Sequence, residues 1–398
     1  MLELIIKREK DERKIALVEN EKIIEYYEEK EDDNRNEGNI YIGVVKDIVK
    51  GMQAAFIDIG KEKNSLIHLK DILEKKDEKK EKDKDKNKTN QKIEKIIKSN
   101  EKLLVQIKKD SNERKGARVS THINLPGKYI VLMPNTDIIT VSQKIESKEE
   151  QERLKKLVAE NISENNGAVI RTSAEGREKE IIEDIKKVEK KWEQILENSK
   201  KEKQLKPKLL YKSENIVEKM LIDLIDKGLE RVIVNDSIDY NEINKIKNEN
   251  KEYKKLQISV KGEESIFEMY NLQKQIGKIN NRKVWLNCGG FITIDKTEAL
   301  TAIDVNTGKY VGTKTMEDTI FKVNKEATIE IAKQLRLRDI GGIIIIDYID
   351  MAREEDKIAI EELLKEELKK DRSKTQIEGF TKLDLMEMTR KHICSHKD

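Results

Sequence analysis

Two carboxylates carry the clearest chemical signal in this chain. The segments ALTAIDVN and IIIIDYID each run apolar up to an aspartate, Asp304 in the first and Asp347 in the second. Neighbouring strands of an α/β sheet present their carboxyl ends on one edge, where ligands bind. Two carboxylates on that edge repel unless a cation stands between them. Mg²⁺ suits such a place: it takes one or two carboxylates, keeps several waters and accepts a phosphate oxygen. Asn306, two residues on, and Asp350 can add an amide or water-mediated contact. The alternative is that each aspartate caps a turn or pairs with Arg336 or Arg338. Two such aspartates, with the asparagine, leave the metal reading and that alternative level.

Other candidates are weaker. Arg372, Lys374, Lys382, Arg390 and Lys391 form a basic set that could hold a polyanionic backbone beside a metal site. In a chain this rich in lysine, spacing alone favours a solvated face. Phe56 and His68 sit on consecutive predicted strands with Lys109 and Lys115 nearby, the pairing of aromatic platform and cation by which small barrels bind single strands. Phe56 could equally be core, because AAFIDI is apolar on both faces. Arg171 and Thr172 end the apolar run VIRTSAEG, and a guanidinium with a hydroxyl can recognise phosphate. Taken alone, Arg171 reads as a surface arginine. The tail His392-Ile393-Cys394-Ser395-His396 has too few ligands for a closed zinc site. Cys288 has no His or Asp motif around it. No P-loop and no GxGxxG occurs.

These residues need elements to carry them. A chain of 398 residues implies about two to four domains. Lys and Arg number 81 against 78 Asp and Glu, a net charge of +3, so overall charge does not itself indicate nucleic acid. Two distant cysteines exclude a disulfide scaffold and fit a reducing compartment. The N-terminus has too short an apolar run for a signal peptide, and no stretch approaches the ~20 apolar residues of a membrane span, so a cytoplasmic protein is expected.

LELIIKR, KIALVEN and KIIEYYEE alternate as antiparallel strands. YIGVVKDIV, QAAFIDIG, SLIHLKDI and EKLLVQIKKD are short strands of a small barrel, interrupted by a charged, solvated insertion. GKYIVLMP, ITVSQKI and GAVIRTSA are strands. Ser147 opens one helix, and a longer one buries Ile182, Ile185, Val188, Trp192 and Ile195. Residues beyond Pro207 read as helix, strand, helix. VWLNCGGFITID is a hairpin. A helix capped by Thr315 and stopped at Gly341-Gly342 buries Ile320, Val323, Ala327, Ile331 and Leu335. IIIIDYID reads as a strand buried on both faces, and REEDKIAIEELLKEELKKD as a helix. Strand, helix, strand, helix indicates an α/β layer.

EALTAIDVN, the helix ending AKQLRLRDIGGIIIIDYIDM, and DRSKTQIEGFTKLDLMEMTRK together resemble the catalytic segment of the ribonuclease E/G family. NIYIGVVKDIVKGMQAAFIDIG looks like that family's S1 domain. NERKGARVSTHINLPGKYIVLMP and VIRTSAEG look like its 5′-sensor region. The resemblance covers about residues 1–391 in order. It implies a mixed α/β, multidomain (α+β) chain. An RNase H-like domain (1–37 and 208–280) is interrupted by an S1, OB-type barrel (38–125, insertion 77–100) and a 5′-sensor (126–207). A DNase I-like α/β catalytic domain (281–398) follows.

The implied activity is Mg²⁺-dependent endonucleolytic cleavage of single-stranded, A/U-rich RNA, including messenger and ribosomal precursors. It leaves 5′-phosphate and 3′-hydroxyl ends and favours 5′-monophosphorylated substrates. The family's magnesium ligands fall on Asp304 and Asp347 and its supporting amide on Asn306. Its RNA contacts fall on Phe56, Lys115 and Lys374, and its 5′-phosphate pocket on Arg171 and Thr172 with Gly127 and Val131. Leu66 stands where the family has a second S1 aromatic. The family's Cys-x-x-Cys zinc link and small domain have no counterpart before Asp398, so neither structural zinc nor a zinc-linked dimer is expected. A non-catalytic S1-type RNA binder is the competing reading, and Asp304, Asn306 and Asp347 together speak against it. A general phosphodiesterase would give the S1 barrel no role.

Overall fold

The computed structural model describes residues 1–10, 12–30, 36–73, 92–111, 115–262, 266, 268–308 and 315–394. Contacts divide the chain into two units, one of residues 1–33 with 216–398 and one of residues 34–215. The first unit opens with a meander of β1 (Leu2–Glu9), β2 (Glu12–Glu19) and β3 (Lys22–Lys30). Asn20 and Glu21 join the last two with φ of 48° and 68°, the doubly left-handed turn whose twist matches antiparallel strands.

In the second unit, β4 (Ile40–Val49), β5 (Ala54–Asp58) and β6 (Ser65–His68) precede a short α1 (Ile93–Ile96), β7 (Lys102–Lys109) and β8 (Arg118–Ser120). The strand order β4-β5-β6-β8-β7 returns to β4, closing a five-stranded barrel. The expected insertion at 77–100 lies outside the described residues as far as 91. Beyond the charged run, Ile93 and Ile97 are buried in the barrel core. Next come β9 (Leu125–Pro126), β10 (Ile130–Pro134), β11 (Ile139–Val141), α2 (Lys148–Asn161), β12 (Asn166–Ile170), α3 (Glu178–Lys201) and β13 (Lys208–Tyr211). Strands β11-β12-β10-β9 form one sheet. The buried face of α3 begins at Ile181, not at the expected Ile182, because 181, 185, 188, 192 and 195 keep the four-three spacing of one stripe. β13 pairs with β4 of the barrel and so belongs to the second unit, which ends at residue 215.

The chain then returns to the first unit through α4 (Ile216–Leu224), β14 (Leu229–Val234), α5 (Ser237–Glu249), β15 (Gln257–Val260) and α6 (Leu272–Ile279). The sheet order is β15-β14-β1-β2-β3, with β1, β14 and β15 parallel. Helix, strand, helix was the expectation for this stretch. α5, capped by Asp236, and β15 are additional, and the last helix breaks where Tyr270 and Asn271 take φ of 56° and 53°.

The remaining elements are β16 (Lys283–Trp285), β17 (Phe291–Lys296), β18 (Leu300–Asn306), α7 (Met316–Leu337), β19 (Gly342–Asp347), α8 (Glu354–Lys369), β20 (Thr375–Phe380) and β21 (Leu385–Arg390). They build a sheet of order β16-β17-β18-β19-β21-β20, in which β18 and β19 are the parallel pair. Both helices supply the core on one face, where Val323, Ala327, Ile331, Ile360 and Leu364 meet Ile292, Ile303, Ile344 and Met388. β19 is therefore not buried on both faces. Ile343 is 51% exposed, because no described helix covers the side to which it turns. Among the described residues no helix is long and apolar enough to cross a membrane.

Candidate functional site

The open face of this last sheet carries the two aspartates. Along β18, Thr301, Ile303 and Val305 turn into the core, so Asp304 and Asn306 turn out, by the period of two that a strand imposes. Asp304 is in register with Asp347 of β19. Register partners on adjacent strands face the same way, with backbones about 5 Å apart. Asn306 Nδ2 donates to Asp304 Oδ2 at 2.8 Å, and Thr293 Oγ1 reaches the same oxygen at 3.5 Å. Arg282, close enough to feel the Asp304 charge, is committed to both oxygens of Asp295. Neither expected alternative partner is present: Arg336 donates to the Glu367 carbonyl and Arg338 to Gln334 and the Asn281 carbonyl.

Burial, then the negative charges of Asp304 and Asp350, hold the Asp347 carboxyl above its ordinary range. That repulsion is what a bound cation would relieve. Among the described residues no group of three or more His, Cys, Asp or Glu could hold a metal. The donor set thus fits Mg²⁺, which needs only one or two carboxylates and completes its shell with water and phosphate. It does not fit a cation enclosed by protein. Asp350 lies beyond the strand end, lining a pocket with Met316, Glu317, Ile320 and Asp356.

Helix α7 locks the strand end that carries Asp347. Buried Asn324 donates Nδ2 to the Ile349 carbonyl at 2.8 Å and accepts the Ile349 N–H at 3.1 Å. The Thr328 and buried Tyr348 hydroxyls are hydrogen-bonded at 2.9 Å. The helix starts where expected, with Thr315 Oγ1 accepting the Asp318 N–H at 3.2 Å. Gly290 sits so close to the Asn306 carbonyl that a Cβ would lie 2.8 Å from it. The Gly-Gly turn is therefore a condition of the approach of β17 to β18.

The basic set divides. Arg372 and Arg390 are buried in ion pairs with Glu25 and Asp223, and with Asp371 and Asp339, so neither lies on the solvated face that spacing favoured nor is open to a polyanion. Lys374 is exposed and lies toward the end of the sheet away from Asp347. Thr375, next in the chain, is in register with Arg390 and thereby with Gly342, the far end of β19 from Asp347. Five residues of strand put that end about 16 Å away. Lys382, exposed in the turn between β20 and β21, lies at the Asp347 end instead, since Leu385 is the register partner of Asp347. In the tail, Cys394 is buried among the apolar residues of the first sheet, and His392 Nδ1 bonds the Asp339 carbonyl at 2.8 Å. His396 lies outside the described residues.

The second unit gathers the other candidates. Phe56 is 36% exposed and paired with Leu66, so both face outward on the barrel and Ile57 takes the core. Lys115 is exposed beside Gly116. Arg171 Nη1 donates to the Gly127 carbonyl at 2.9 Å, and the Arg171 N–H to the Tyr129 carbonyl at 2.8 Å. Thr172 Oγ1 lies 3.0 Å from Ser142 Oγ. Val131 pairs with Val169, one residue before Ile170. Arg171, Thr172 and Gly127 are thus brought together, with Val131 alongside in the sheet. Buried Asp184 organises this turn by accepting the N–H groups of Lys128, Tyr129 and Ile130 at 3.2, 2.7 and 3.1 Å. A Cβ on Gly127 would lie 2.5 Å from an Asp184 oxygen. Ser142 and Asp184 escaped the sequence reading. Asp184 interrupts the apolar stripe of α3, the one trace it leaves.

A family model described as Ribonuclease E/G family matches residues 124–393. The chain is 40% identical over 398 residues to Ribonuclease G of Salmonella typhimurium (strain SL1344), covering 98% of this chain and 79% of that relative. It is 39% identical over 392 residues to Ribonuclease G of Escherichia coli (strain K12), with the same coverage of 98% and 79%. Ribonuclease E of Nostoc sp. is 34% identical over 367 residues, 89% of this chain and 51% of that relative.

Proposed function

The chain belongs to the ribonuclease E/G family, and from that premise we propose that it is a Mg²⁺-dependent endoribonuclease. Its substrate is single-stranded, A/U-rich RNA, cut to 5′-phosphate and 3′-hydroxyl ends in RNA processing and decay. The observation that carries this reading is the register pairing of Asp304 with Asp347 on an open sheet face. The two carboxylates hold the ion. Bound there, Mg²⁺ supplies positive charge where phosphate hydrolysis gathers negative charge. Asn306 and Thr293 both engage Asp304 Oδ2, which leaves Oδ1 for the cation and fixes the carboxylate plane. Lys382, at the same end of the sheet, meets the phosphate backbone beside the ion, with Lys374, on which the family's RNA contact falls, further along the strand.

Phe56 and Lys115 on the barrel supply a stacking face and a cation for the strand. Arg171, Thr172 and the Gly127–Val131 turn receive a 5′-monophosphate, with Ser142 as a further hydroxyl. We read residues 1–33 and 216–280 as the RNase H-like part, 34–125 as the S1 part, 126–215 as the sensor and 281–398 as the DNase I-like part.

Purified protein incubated with A/U-rich single-stranded RNA and Mg²⁺ should cut it, and Asp304→Asn should slow cutting at least about a hundred-fold. Intact RNA with the native chain, or equal cutting by the variant, removes the nuclease reading. A 5′-monophosphate should speed cleavage over a 5′-hydroxyl about ten-fold, the scale of hydrogen bonds to a charged group, and Arg171→Ala should erase the difference.

A further inference from the structure

The open face that carries Asp304 holds a second feature with no part in binding the cation. Trp285 on β16, Phe291 on β17 and Asn306 on β18 form one register row across the sheet. Lys283, Thr293, Asp304 and Asp347 form the row beside it. Residues two apart on a strand share a face, so all seven side chains emerge on the side away from α7 and α8. Trp285 is 60% exposed, an unusual place for the largest apolar side chain. It meets Phe291 edge to face, with ring centroids 5.4 Å apart. The Lys283 ammonium lies 4.1 Å from the Trp285 ring centre and 3.4 Å from that of Phe291.

We propose that Lys283, Trp285 and Phe291 form a nucleotide subsite: the rings stack the base flanking the cleaved phosphate, and the ammonium pairs with that nucleotide's phosphate. This rests on the ribonuclease reading above. Three observations support it. Phe291 stands one strand, about 5 Å, from Asn306, and Trp285 two strands away. A strand crossing the carboxylate pair in that direction must pass over the rings. The rings are held by packing on each other and by the lysine, so they lose little freedom when a base stacks on them. The pairing of ring and cation also matches the two parts of a nucleotide, a π-face and an anion, and not the aliphatic groups that dominate protein interfaces. Stacking is tolerant of base identity, so this subsite adds grip and alignment near the cut without reading sequence.

Trp285 reports its own occupancy. The other tryptophan, Trp192, is buried in the second unit. With chelator present, so that nothing is cut, an A/U-rich single-stranded oligoribonucleotide should quench native tryptophan emission. Trp285→Phe should lose the quench yet keep most of the affinity. Trp285→Ala should weaken binding about ten-fold, in the range of base–aromatic stacking, and in Mg²⁺ should raise KM far more than it lowers kcat. The same oligonucleotide made abasic should not quench. Saturable RNA binding without quenching, or a KM unmoved by Trp285→Ala, overturns the subsite and leaves the nuclease reading standing; a platform built for a protein partner gives that result. Quenching by RNA that the native chain never cuts keeps the subsite and removes the nuclease reading.

Discussion

The first unit treats carboxylates in two opposite ways. Around Arg390, Asp371 and Asp339 are both buried, and the guanidinium meets them at 2.8 Å each, with the Ile340 carbonyl as a third acceptor. Asp339 also accepts the N–H groups of Ile393 and Cys394. Burial works against the Arg390 charge, and Asp371 and then Asp339 more than restore it. Arg372 repeats the arrangement with Glu25 and Asp223, and Tyr27 completes the satisfaction of Glu25. Around Asp304 and Asp347 the same residue type stands on an open face with a like charge as its neighbour. Among the described residues no lysine or arginine forms an ion pair with either. Buried charge that is fully paired holds structure together. Adjacent charge left without a counter-ion is a demand for a ligand.

That contrast can be broken at three points. The largest effect is expected at Arg390→Met, which strands two buried carboxylates and should cost roughly 3–5 kcal/mol in urea unfolding. A loss below about 1 kcal/mol would mean the network is ornamental. Next, Asp304→Asn should leave stability in chelator within about 0.5 kcal/mol of the native chain, or raise it, because it removes repulsion and no pairing. A loss comparable to that of Arg390→Met would place Asp304 among the structural carboxylates. The smallest effect is a titration. In chelator, carboxyl NMR should find Asp347 raised, and Asp304→Asn should bring it down. The sign follows from linkage: a carboxyl raised in the folded state costs stability at pH above that value, and the cost disappears as pH falls below the unfolded value. An Asp347 that titrates identically in both proteins would mean that the two charges do not sense each other.

Much of the fold was legible along the chain. Period-two alternation announced β1–β3, evenly spaced short strands and turns the barrel strands β4–β7, a Gly-Gly turn the β16–β17 hairpin, and a continuous apolar run β19. The Thr315 and Ser147 caps announced where α7 and α2 begin, because an N-cap is a local hydrogen bond. The elements that escaped were α1, β8, β9, β13, α5, β15, β20 and β21. Most are short or sparsely apolar, so local pattern gives them little signal. Phe56 shows the same limit within one strand. AAFIDI is apolar on both sides, and closure of the barrel decided that Ile57 goes in and Phe56 out.

The candidate site divides in the same way. By itself the sequence determined which residue types end β18 and β19, that an asparagine follows Asp304 by two, and that a capped helix must lie between the strands. These are consequences of local pattern and of short-range hydrogen bonds. Only the tertiary structure decided that Asp304 and Asp347 are register partners on an uncovered face. It alone buried Arg372 and Arg390 in ion pairs, set Lys382 rather than Lys374 at the Asp347 end of the sheet, and brought Trp285 and Phe291 into the row of Asn306. The physical reason is that strand register and helix coverage are properties of pairs of elements, settled when cores close, and no single segment carries them.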